Sequence, residues 1–100
     1  MNDESAEVKV MVVGETTMRL KSIFAYLESM DIKPLIAEAG KDAIDIYRRE
    51  QPDFILMEDK LPDIGCFELS REIHALDTRN NWTSIIFLNN ILEEDLAAAF

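Results

Sequence analysis

Four short apolar runs, each followed by a stretch of different periodicity, constrain this chain more than any other feature. Residues 8–13 (VKVMVV) are a nearly continuous β-branched run closed by Gly14, the pattern of a strand buried on both faces. From Thr16 the period changes. Leu20, Ile23, Phe24, Leu27 and Met30 fall on one helical face, with Arg19, Lys21 and Glu28 on the other. Pro34 restarts the chain, and Leu35-Ile36-Ala37 is a second short strand. Residues 41–50 are helical by pattern with Ala43, Ile44, Ile46 and Tyr47 inward, and Gln51-Pro52 ends that helix because a residue before proline avoids the α region. The third run, 54–57 (FILM), leads into a loop dense in carboxylates and turn residues, 58–65 (EDKLPDIG). A helix over 66–76 follows on Leu69, Ile73 and Leu76, then a polar connection over 77–83, a fourth run at 84–88 (SIIFL), and Asn89-Asn90 as the cap of a last helix to Phe100.

Strand and helix in alternation predict an α/β domain: a doubly wound parallel sheet with helices on both faces. Residues 8–100 form that domain and residues 1–7 an acidic tail. Ligands of such sheets sit outside the carboxyl ends of the strands, which points to Gly14-Glu15, to 58–62 and to Asn89-Asn90. Glu15, Glu58, Asp59 and Asp63 all follow strand ends, and carboxylates converging there suit a hard cation such as Mg²⁺; solvated loop acids of an acidic protein give the same spacing. Neither G-x-x-x-x-G-K-[ST] nor G-x-G-x-x-G occurs, which disfavours nucleotide binding. With 20 acidic against 10 basic residues the net charge is −10, the wrong sign for gripping a phosphate backbone. No apolar stretch approaches the roughly 20 residues a membrane span needs, and no secretion signal opens the chain, so a cytoplasmic location is expected. The single cysteine, Cys66, allows no internal disulfide and reads as an apolar filler at a helix start. His74 reads as a surface histidine and Trp82 as a loop anchor.

In register and in order, five segments resemble the receiver (CheY-like) domain of bacterial two-component response regulators. They are Lys9-Val10-Met11-Val12-Val13 as the first strand, Ala37-x-x-Gly40-x-x-Ala43-Ile44, Pro52-Asp53-Phe54-Ile55-Leu56-Met57 as the third strand, Leu61-Pro62 where the family has Met-Pro, and Ser84-Ile85-Ile86-Phe87-Leu88 as the fourth. The resemblance implies strand order 2-1-3-4, with four of the family's five β-α units present. The chain stops at Phe100, about 20 residues short by ordinary element lengths, before the unit that carries the family's lysine. Strand 84–88 is then expected to be an apolar edge: either the chain is a fragment of a longer protein or another chain supplies the missing surface, and a stable, soluble chain of this length is expected to be an oligomer.

The departures from the family concern its chemistry. Where the family has an acidic pair that binds Mg²⁺, this chain has Gly14 and Glu15, so one ligand is missing and the other is longer. The phosphoacceptor aspartate aligns with Glu58, and the hydroxyl-bearing switch residue with Asn89. Glutamate moves the carboxylate by about 1.5 Å, one C–C bond. A misplacement of about 1 Å in an aligned site can lower a rate on the order of 100-fold. The resemblance therefore implies a pseudo-receiver: a non-enzymatic signalling module acting by protein-protein contact or dimerisation, with no cofactor expected. Its partners would be a second copy, its own output domain or a sensor kinase. The alternative is a phosphorylatable receiver with Glu58 or, one residue on, Asp59 as acceptor, and Glu15 and Glu58 as weak Mg²⁺ ligands. Glu58 can also stand as a partial imitation of a phosphorylated aspartate, with one charge instead of nearly two.

Overall fold

The computed structural model describes residues 8–77 and 83–88. Strand β1 (Val10–Val13) is followed by helix α1 (Met18–Ser29), β2 (Leu35–Ala37), α2 (Gly40–Glu50), β3 (Phe54–Met57), α3 (Cys66–Leu76) and β4 (Ser84–Phe87). All strand pairings are parallel and the order is β2-β1-β3-β4, as the resemblance implies. Chain order and spatial order differ at β1, so successive crossovers place helices on opposite faces.

Alternation along the strands sorts the core into two halves. Met11, Val13, Ala37, Ile55 and Met57 pack against Ala43 and Tyr47 of α2 and Cys66, Leu69 and Ile73 of α3. Val10, Val12, Leu56 and Leu88 pack against Leu20, Ile23 and Leu27 of α1. Both faces of β1 are covered, which is why its sequence is apolar at successive rather than alternate positions. Among the described residues no helix is long and apolar enough to cross a membrane.

The element ends differ from the sequence expectation where partners are remote in sequence. Val8 and Lys9 lie outside β1 and are exposed; the Lys9 amide donates to the Asp53 carboxylate at 3.0 Å instead of joining a ladder. Met30 is not on the buried face of α1 but is its exposed C-cap, and Asp31, at φ 63°, turns the chain away. Thr17 caps α1 by accepting the Leu20 amide at 3.2 Å. Helix α2 ends at Gln51 in the left-handed region (φ 48°), before the buried Pro52. Leu88, expected in β4, continues its ladder by one bond, donating to the Met57 carbonyl at 2.7 Å.

Thr83, expected in a polar connection, is buried at 2% exposure. Its hydroxyl lies 2.9 Å from the Pro52 carbonyl and 3.3 Å from the Tyr47 hydroxyl. One proton serves one acceptor, so Thr83 donates to Pro52 and accepts from Tyr47. The Thr83 amide donates to the Asp77 carboxylate at 3.0 Å, and its carbonyl lies 3.3 Å from His74 Nε2. These contacts tie the end of α3 to the start of β4. β4 is the outer strand of the described sheet, with Ile85, Ile86 and Phe87 half-buried. Phe67, 69% exposed, stands edge-on to Phe87 with ring centroids 5.3 Å apart. The acidic tail 1–7, Trp82, Asn89 and the last helix lie outside the described residues.

Candidate functional site

The carboxyl ends of β2, β1 and β3 are held side by side by backbone bonds just past the strands. The Gly14 amide donates to the Ala37 carbonyl at 2.8 Å, and the Glu58 amide to the Val13 carbonyl at 2.9 Å. With Val13 opposite Met57 in the ladder, Gly14 comes to lie beside Glu58. Alternation then sends the Glu58 side chain to the face of Leu56, under α1.

Gly14 is buried and adopts φ +151°, a conformation that L side chains rarely reach. A Cβ at this position would lie 2.5 Å from Glu58 Cγ, 3.1 Å from Glu58 Cβ and 3.3 Å from Leu20 Cδ1. The extra methylene of glutamate therefore fills the volume left by the missing side chain at position 14.

Glu58 Oε1 lies 3.6 Å from Nη1 of Arg19, with the Glu58 side chain 16% exposed. Burial pushes the Glu58 carboxyl above its ordinary range; Arg19 opposes that rise and the neighbouring Asp59 adds to it. Helical spacing put Arg19 on the outward face of α1. Arg19 is exposed there, as expected, and from the first turn its guanidinium reaches over the sheet edge to Glu58. The available signal was a lone cation in the first turn of the helix that leaves the carboxylate-rich edge.

The other acids separate. Glu15 and Asp59 are exposed. Asp63 faces α2, where its carboxylate accepts the amides of Gly40 at 2.9 Å and Lys41 at 3.0 Å. Cys66 is buried at the start of α3 within the core. The Mg²⁺ that the resemblance implies takes oxygen ligands in near-octahedral geometry. The described donor set does not fit it: position 14 supplies no side-chain oxygen and has no room for a side chain, Glu58 faces a guanidinium, and among the described residues no three His, Cys, Asp or Glu side chains come together.

No family model matches the chain. Among curated proteins it is 28% identical over 65 residues to the protein PilH of Pseudomonas aeruginosa, covering 65% of this chain and 54% of that one. The CheY-like response regulator receiver domain of Methylobacillus flagellatus superposes with a TM-score of 0.72 at 14% identity, covering 93% of this chain and 96% of the other. The pseudo-receiver domain of the CikA protein superposes with a TM-score of 0.70 at 20% identity, covering 93% and 78%. The chain has the fold of response regulator receiver domains and is similar in sequence to response regulators. It spans about half the length of the curated relatives it matches. Of the positions that the sequence resemblance singles out, Gly14 and Glu58 lie side by side at the strand ends, and Asn89 lies outside the described residues.

Proposed function

We propose that this chain is a pseudo-receiver: a two-component-type signalling module that works through protein-protein contact and does not transfer phosphoryl groups. The observation that carries the reading is the packing of Glu58 Cγ against Gly14, which fills the acidic pocket from inside with a methylene. Phosphoryl transfer rests on alignment and on neutralising charge around the moving group. Here the acceptor position carries a longer, ion-paired side chain, and the pocket lacks a side-chain oxygen at position 14. The likeness to a solved pseudo-receiver domain is in keeping with this reading.

The partners this reading entails are proteins: a sensor kinase, an output domain of the same protein, or a second copy paired through the β4 side of the sheet, where Phe67 is exposed beside Phe87. A net charge of −10 argues against nucleic acid.

Intact-mass analysis after incubation with Mg²⁺ and acetyl phosphate tests the reading. No added phosphoryl group is expected on the wild type. Labelling abolished by Glu58→Gln or by Asp59→Asn would overturn it, establish a phosphorylatable receiver and identify the acceptor.

A further inference from the structure

A carboxylate largely withdrawn from water needs a compensating charge or donors. For Glu58 the cation at hand is Arg19, anchored one residue into α1, which Thr17 caps and Leu20 fixes against the sheet. Arginine is always protonated and weakly hydrated, and it is tethered here, so it is present at every pH and salt condition at which the domain is folded. A divalent cation entering the same place would have to displace the guanidinium or sit beside it against charge repulsion. It would also find no side-chain oxygen at position 14.

Resting on the non-catalytic reading above, we propose that Arg19 is the resident cation of this centre, giving the Glu58 carboxylate the positive charge that a bound divalent ion would otherwise bring, and that Gly14 and Glu58 are a matched steric pair. The two departures from the acidic pattern are then one compensated change. Glutamate needs glycine opposite it for room, and its longer reach brings the carboxylate to Arg19. The centre holds a single electrostatic state without any input, and Mg²⁺ competes with a fixed side chain.

The ionic half is tested on the full chain by titrating Mg²⁺ while following the backbone amide signals of Gly14 and Glu58. The wild type is expected to show no saturable shift, Arg19→Ala to gain one, and Arg19→Lys, which keeps the charge, to resemble the wild type. Identical responses of the wild type and Arg19→Ala, whether both saturate or neither does, overturn the proposal.

The steric half is read from a double-mutant cycle in denaturant unfolding. The strain of a side chain at the φ of Gly14 is common to both backgrounds and cancels in the cycle. Gly14→Ala is expected to lower the folding equilibrium constant about tenfold more in the wild type than in the Glu58→Ala background, within the usual range for residues in contact. Where Gly14→Ala alone does not fold, its recovery in the double variant counts the same way, and an equal loss in both backgrounds overturns the pairing. Phosphoryl labelling of the wild type would remove the non-catalytic reading and leave the Mg²⁺ comparison to be judged by itself. Equal Mg²⁺ responses without labelling would remove Arg19 as the resident cation and leave that reading in place.

Discussion

The carboxylate of Asp63 accepts the Gly40 amide at 2.9 Å from 23 residues away, so the loop that follows β3 caps the helix that follows β2. Its second oxygen takes the Lys41 amide at 3.0 Å. Ala39, the residue at the N-cap of α2, has no side-chain acceptor to offer these first amides. An acid that looked like part of a cation site in the sequence is therefore a remote helix cap. It spends its charge on the positive end of α2.

Those two amide bonds hold the Asp63 carboxyl below its ordinary value of 3.8. A group whose folded pKa is depressed contributes stability that is present above the unfolded value and is lost as pH falls through the folded one. Asp63→Asn is expected to lower the thermal midpoint at neutral pH. The gap to the wild type should close on strong acidification, followed by circular dichroism melts across pH. A gap independent of pH would mean that the charge is not what caps the helix.

Gly40→Ala sets two effects against each other. Alanine is favoured over glycine inside a helix by about 1 kcal/mol. A Cβ at position 40, however, would be driven into the Ile64 Cγ2 methyl, and overpacking costs about 1–3 kcal/mol. Net destabilisation is expected, with Ile64→Ala restoring part of it in the double variant; chemical denaturation of the four proteins checks both signs.

The strands were legible because a parallel sheet covered on both faces demands uninterrupted apolar runs, and β2 and β3 coincide with their runs. Helix α3 was legible from its periodicity to the residue. The errors fall where the deciding partner is distant in sequence. Lys9 reads as strand but is bonded to the Asp53 side chain, and Met30 keeps the helical period at the point where Asp31 turns the chain. Thr83 reads as loop yet is enclosed by Tyr47 and Pro52. The resemblance singled out Gly14 and Glu58, but nothing local showed that Glu58 Cγ fills the place of a side chain at 14 or that the exposed Arg19 reaches Glu58. A helix's two faces are a sound guide to exposure, but they do not say how far a long side chain in the first turn reaches past the end of the sheet.

Thr83 should matter more than Tyr47. Thr83→Val removes the hydroxyl that joins Pro52 and Tyr47 in a buried place, a change that costs about 1–3 kcal/mol. Tyr47→Phe removes only the 3.3 Å contact and leaves the 2.9 Å bond to Pro52 intact, for about 0.5–1.5 kcal/mol. Urea midpoints of the two single variants are expected in that order, and the reverse order would assign the Thr83 bond to Pro52 no net role.

Glu58 gives the opposite pH signature to Asp63, and the sign discriminates between burial and ion pairing as its controlling influence. Burial is the larger effect and raises the carboxyl above its ordinary value of 4.5; Arg19 offsets it only in part. The folded chain therefore keeps the Glu58 proton to higher pH than the unfolded chain does. Stability from this group falls as pH rises from the ordinary glutamate value through the folded one. Glu58→Gln removes the titration while keeping the shape and the methylene against Gly14. The difference in unfolding free energy, wild type minus Glu58→Gln, is expected to decline with rising pH across that window and to be level above it. A rising difference would show that Arg19 outweighs burial. The carboxylate would then stabilise the fold, and Arg19→Ala would have to turn that rise into a fall, whereas with burial in control it only steepens the decline.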